Sequence, residues 1–183
     1  MKWAKTLFLL LCLTACNGED NVYREYACSF TFDTSFHPLP CQLTAILGNN
    51  GHFAKIETSM VQGVRQLNTT RNFDNATEKI RLTTQVEKQF RYELGANNCI
   101  IVGTSSYDNR LMAYEGQCAN CLTDYSGTDF PLTWQNGGTQ LFCAKCKRSY
   151  DVNNGVVANG SSSGHPLFQY KASFDGSILR VWN

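Results

Sequence analysis

The segment from Cys118 to Cys146 reads CANCLTDYSGTDFPLTWQNGGTQLFCAKC and carries two C-x-x-C pairs, Cys118 with Cys121 and Cys143 with Cys146, separated by twenty-one residues. Two thiolates three positions apart on a tight turn converge on one ion, and the N–H groups of the turn point at the sulfurs. Two such knuckles predict a site built from Cys118, Cys121, Cys143 and Cys146. Four sulfurs suit zinc, a single iron or an iron–sulfur cluster. The same residues could close as two disulfides, one in each knuckle or crossed between them. Between the knuckles, Thr133 to Phe142 reads as a hairpin around Asn136-Gly137-Gly138, with its second strand delivering Cys143. Lys145, Lys147 and Arg148 follow closely. They could offset the negative charge of four thiolates, or serve only as solvated loop cations.

Outward from this segment, residues alternate with the period of half-buried strands, as in Cys28-Ser29-Phe30-Thr31-Phe32 and Gln89-Phe90-Arg91-Tyr92-Glu93-Leu94. Turn clusters separate them: Gly48-Asn49-Asn50-Gly51, Gly95-Ala96-Asn97-Asn98 and Asn153-Asn154-Gly155. Asn75 to Gln85 is compatible with a short helix or a strand, and Lys79-Ile80-Arg81-Leu82-Thr83 reads as strand. No ten-residue stretch has a capped helical stripe. The expected class is therefore mostly β, an antiparallel sandwich or barrel carrying a small metal-binding subdomain.

At 183 residues, 43% of them hydrophobic, the chain can bury one domain core. Sixteen Lys and Arg residues against fifteen Asp and Glu residues leave no basic field for nucleic acid. No nucleophile has a partnered base: Ser161, Ser162 and Ser163 adjoin His165 but lack a third orienting group. The chain reads as a binding or electron-transfer component rather than a catalyst. Tyr125, Phe130 and Trp134 could line a partner surface or form the small core of the subdomain.

The knuckles and their hairpin resemble a zinc ribbon or rubredoxin. A wider resemblance runs from Met112 to the C-terminus and is to the Rieske domain. Its carriers are the strand Leu111-Met112-Ala113-Tyr114, two ligand loops joined by a hairpin, and Tyr150-Asp151-Val152 with the turn at Gly155. The return stretch Gly164-His165-Pro166-Leu167-Phe168-Gln169-Tyr170 and the closing hairpin Phe174 to Val181 complete it. The resemblance implies a single Rieske-like domain over 22–183 with a ligand subdomain at about 114–165. It also implies a 2Fe-2S cluster and an unidentified redox partner. Rieske loops read C-x-H and C-x-x-H, whereas here Asn120 takes the first histidine slot, Cys121 follows it, and Cys146 stands in the second. Two sulfurs per knuckle favour a mononuclear centre, zinc or iron. A 2Fe-2S cluster on four cysteines would fall toward about −400 mV. Electron transfer at low potential and a zinc-stapled structural or binding module are thus the two functional expectations, and His165 reads as a plain turn histidine.

At the N-terminus, Lys2 and Lys5 precede an apolar run, Leu7 to Leu13, too short to span a membrane and suited to a cleaved export signal over 1–15. Leu13-Thr14-Ala15-Cys16 resembles the lipobox of bacterial lipoproteins. That resemblance implies lipidation of Cys16, a polar tether over 16–21, and membrane attachment in the bacterial cell envelope, facing periplasm or exterior. Nine cysteines less Cys12 and Cys16 leave seven. Cys28 and Cys41, thirteen positions apart across Pro38-Leu39-Pro40, are candidates for a disulfide, and Cys99 reads as a buried thiol.

Overall fold

Strand-forming residues with tight turns between them produce twelve β-strands and little helix among the described residues. The computed structural model describes residues 22–159 and 164–183. The expected signal peptide, Cys16 and tether lie outside the described residues, as do Ser161, Ser162 and Ser163. Nine strands form one antiparallel sheet in the order β4-β3-β2-β6-β7-β11-β12-β1-β5. Its members are β1 (Cys28–Asp33), β2 (Phe53–Val61), β3 (Val64–Arg71), β4 (Thr77–Arg81), β5 (Glu93–Leu94), β6 (Cys99–Thr104), β7 (Leu111–Glu115), β11 (Gln169–Phe174) and β12 (Ile178–Trp182). A second, three-stranded sheet holds β8 (Leu132–Gln135), β9 (Gln140–Cys143) and β10 (Ser149–Asp151) in the order β10-β9-β8. No helix among the described residues is long and apolar enough to cross a membrane.

The large sheet folds over on itself at β11, which pairs with β7 through Gln169 and Tyr170 and with β12 from Lys171 onward. Alternate side chains of both halves then share one core: Phe30 and Phe32 from β1, Ile56 from β2, Leu67 from β3, Ile100 and Val102 from β6, and Leu179 and Val181 from β12. The short helix α1 (Gln42–Ile46) contributes Leu43 and Ile46 to it. This is a sandwich made by one strand that changes sheets.

Strand β6 is buried along its whole length. Ile100 and Val102 face the first core, while Ile101 joins Phe53, Met112 and Tyr114 in a second cluster on the opposite face. Leu132, Leu141, Tyr150, Val152 and Leu167 cover that face. Two-sided burial explains the uninterrupted Cys99-Ile100-Ile101-Val102, because a strand with one wet face would alternate. Full burial of Ile101 alone contributes about 1.5–3 kcal/mol.

Three sequence expectations change. Gln89 to Leu94 is not one strand: Glu87–Gln89 is a turn of 3-10 helix and only Glu93–Leu94 pairs, with β1. Strand β4 covers Lys79, Ile80 and Arg81 but stops before Leu82. The disulfide between Cys28 and Cys41 is not made. Cys28 lies at the β5 end of β1, opposite Leu94, whereas Cys41 precedes α1 and turns its thiol toward Glu78 on β4 at 3.6 Å. Strand β1 begins at Cys28 and carries the chain away from it before Cys41 is reached, a path the thirteen-residue spacing does not reveal. Cys99 is a buried free thiol, as expected.

Glu87 forms a pH-sensitive tie. Glu87, 2% exposed, meets His37 Nε2 at 2.5 Å and accepts from the Thr84 N–H at 2.9 Å and the Thr84 hydroxyl at 2.8 Å. Burial raises the carboxyl's pKa, but the hydrogen bonds from Thr84 and His37 outweigh it and the net shift is downward. A carboxyl depressed in the folded state stabilises it above the unfolded value of about 4.3, and that contribution disappears as pH falls through the lower folded value. Urea midpoints of the protein and of Glu87→Gln should therefore differ at pH 7 and converge on acidification below about pH 4. A gap independent of pH would contradict the tie.

Candidate metal centre

The four sulfurs are brought together by two different backbone devices. In the first knuckle, Cys118 caps the helix α2 (Ala119–Asp124) and Cys121 lies in its first turn. The Cys118 N–H donates to the Phe130 carbonyl at 2.9 Å, tying the knuckle to the segment that enters β8. In the second, Cys143 ends β9 and the chain reverses, with the Lys147 N–H donating to the Cys143 carbonyl and the Cys143 N–H to the Arg148 carbonyl, both at 2.9 Å. Lys147 adopts φ 60° to close this reversal.

The sulfurs of Cys118, Cys121, Cys143 and Cys146 all lie within 4.8 Å of one another. Contacts of 3.5 Å (Cys118 to Cys146) and 3.7 Å (Cys121 to Cys143) run between knuckles. Tetrahedral coordination at a metal–sulfur distance of about 2.3 Å places sulfurs about 3.8 Å apart. The donor set and its spacing therefore fit a metal ion. All four thiols are free, and Cys146 alone among them is not fully buried.

Burial pushes the Cys118 thiol up to about 12, against the hydrogen bond from Tyr150, and burial with the neighbouring sulfurs raises Cys121 further. For Cys146, burial is outweighed by hydrogen bonds from Arg148, main chain and guanidinium, and from Cys118, which bring it down to about 7. Four adjacent thiolates repel one another and resist burial, and a divalent cation relieves both. Arg148 contacts the site, whereas Lys145 lies over the Tyr125 ring at 4.9 Å.

Around the sulfurs, a relay orders the first knuckle. Asn120, 2% exposed, donates from Nδ2 to the Tyr150 hydroxyl at 2.7 Å, leaving that hydroxyl's proton for Cys118 Sγ at 3.0 Å. Asn120 also exchanges hydrogen bonds with the main chain of His165, Nδ2 to the carbonyl and Oδ1 from the N–H, both 2.9 Å. His165 is exposed and contributes backbone, not a ring ligand. Phe130 and Trp134 pack on the second cluster, while Tyr125 remains 49% exposed.

The strand leading into Cys118 is held from below by Glu115. This carboxylate is 0% exposed and accepts from the Tyr170 hydroxyl at 2.7 Å, the Ala96 N–H at 2.8 Å and the Gln117 N–H at 3.1 Å. Burial leaves its pKa raised despite these donors. Asn72 is a second anchor, 3% exposed: its Oδ1 accepts from the Phe53 N–H at 2.9 Å, and its Nδ2 donates to the carbonyls of Gly51 at 2.9 Å and Gly138 at 3.0 Å. Neither residue stands out in the sequence. Glu115 continues an apolar strand and Asn72 sits beside a turn, so only their three-dimensional partners mark them.

Comparison of the chain with protein-family models, with curated proteins and with solved structures gives no match.

Proposed function

We propose that this protein is a Rieske-like envelope lipoprotein whose ligand module is stapled by one tetrathiolate metal ion, zinc in preference to iron, and that it acts as a binding or structural component. The clustering of all four sulfurs within 4.8 Å carries the single-ion part of this reading. A 2Fe-2S core puts each cysteine pair on a different iron, so its cross-pair sulfur separations are longer than those around a single ion. The compact set favours one ion. Two knuckles of two sulfurs each, with no histidine ring at the site, agree with it. Zinc would supply no redox chemistry, only a rigid join between the two knuckles.

The Rieske likeness rests on the order strand, ligand loop, hairpin, ligand loop, strand and return to the large sheet, together with the residues from Met112 onward. The lipid anchor rests on Leu13-Thr14-Ala15-Cys16 and the apolar run before it. The deciding experiment is metal analysis with a visible spectrum on protein purified anaerobically without added metal. One zinc per chain and no colour are expected. Iron with acid-labile sulfide and charge-transfer bands would replace this reading by low-potential electron transfer, and a red centre with iron but no sulfide would mean a single iron.

A further inference from the structure

We infer that the four-sulfur site is a redox-controlled metal-release switch, in which a peroxide-class oxidant converts the bound thiolates into two disulfides running between the knuckles, Cys118 to Cys146 and Cys121 to Cys143. The inference rests on the tetrathiolate reading above and adds regulation to it.

Geometry supplies the pairing and the entry point. The sulfur contacts of 3.5 and 3.7 Å join residues 28 and 22 positions apart, each crossing from one knuckle to the other. Closing them to a disulfide length of about 2.05 Å needs side-chain movements of order 1 Å. Cys118, Cys121 and Cys143 are each 0% exposed, while Cys146 reaches the surface. An oxidant therefore meets Cys146 first, and the sulfur at 3.5 Å from it is that of Cys118.

In the first step the Cys146 sulfur attacks one oxygen of hydrogen peroxide, the O–O bond breaks, and a sulfenic acid forms with loss of water after proton uptake. The Cys118 thiolate then attacks the sulfenic sulfur, the S–O bond breaks, and hydroxide leaves and takes a proton to become water. The ion has now lost two of its ligands. A second peroxide oxidises Cys121 and Cys143 in the same way. In total, four thiolates lose four electrons, two peroxides gain them, four protons are consumed, four waters form and one divalent ion is released. Because both new bonds cross between knuckles, they hold together what the metal held, and the oxidised module keeps its fold.

The test uses the full chain loaded with zinc under reducing conditions, then freed of reductant and exposed to hydrogen peroxide. Zinc release is read with a coloured chelator, thiols are counted, and linkages are mapped by mass spectrometry of digests. One zinc released per four site thiols lost is expected, with linkages Cys118–Cys146 and Cys121–Cys143 and full reloading after reduction. Cys41→Ser, which removes the partly exposed thiol at the start of α1, should load and release identically. Linkages inside the knuckles would overturn the pairing. Oxidation of the thiols with zinc retained, or release that reductant cannot reverse, would overturn the switch. A chain that takes up no zinc while fully reduced removes the tetrathiolate reading and this inference with it, and does so before peroxide is added.

Discussion

Cys143→Ser should leave the protein without stoichiometric metal and unfold the three-stranded sheet while the large sheet stays folded. Cys143 is 0% exposed, ends β9, and holds its sulfur 3.7 Å from that of Cys121. Serine substitutes a hydroxyl that ionises far less readily than a thiol and binds soft metals poorly. Structural zinc sites supply roughly 10–16 kcal/mol of apparent binding energy that doubles as folding energy. Loss of one ligand should therefore weaken metal binding by more than the 10–100-fold typical of changes to the groups surrounding the ligands. The effect should be local. Leu132, Leu141 and Tyr150 belong to the second cluster, whereas Phe30, Ile56, Leu67 and Val181 form the first without them. Hydrogen exchange beside metal analysis checks both halves. Protection should disappear over Leu132–Gln135, Gln140–Cys143 and Ser149–Asp151 and persist in Val64–Arg71. Unchanged metal content with unchanged exchange would remove Cys143 from the site.

Gly138→Ala should lower the melting temperature by about 10 °C, far more than the same change one residue earlier. A Cβ at Gly138 would lie 2.1 Å from the Asn72 carbonyl oxygen and 2.4 Å from its carbon, and the backbone there has φ +83°. The obstacle is main chain, so no rotamer relieves it. A side chain held in the left-handed region costs about 1–3 kcal/mol. Displacing the turn also breaks the bond from Asn72 Nδ2 to the Gly138 carbonyl, and a buried polar group left unpaired costs about 1–3 kcal/mol more. At about 2–4 °C per kcal/mol for a chain of this size, the two together give the stated drop. Gly137 has φ +63° but open space around its Cβ position, so Gly137→Ala should cost only about 1 kcal/mol. Calorimetry on the two variants under identical metal loading separates close packing from backbone preference. Equal melting temperatures would show that the turn does not bear on the large sheet.

Much of the fold class and the identity of the four clustered cysteines are legible in the sequence. Alternation at Cys28 to Phe32, the apolar run at Cys99 to Val102 and the hairpin at Thr133 to Phe142 each fall within or around strands, because local burial pattern and turn chemistry carry that information. The alternation at Gln89 to Leu94 misleads, since a pattern of period two says which side chains could share a face and not whether a neighbouring strand is there to pair with it. Spacing suggests a Cys28 to Cys41 bridge for the same reason. It measures distance along the chain, and β1 runs along its own axis for part of that distance, carrying the chain away from Cys28.

What the sequence alone determined is the mostly β class and the identity of four sulfurs able to hold an ion, for both follow from short-range spacing: side chains alternate along a strand, and C-x-x-C turns its two thiols to one side. Only the tertiary structure decided that these sulfurs meet within 4.8 Å, and that Asn120 and Tyr150 orient Cys118. It also revealed that buried Glu115 and Asn72 fasten the module to the large sheet. Those relations join residues tens of positions apart, and a polar side chain has no spacing of its own to announce its partners. Which atoms satisfy it is settled only when the chain closes around it and water is excluded.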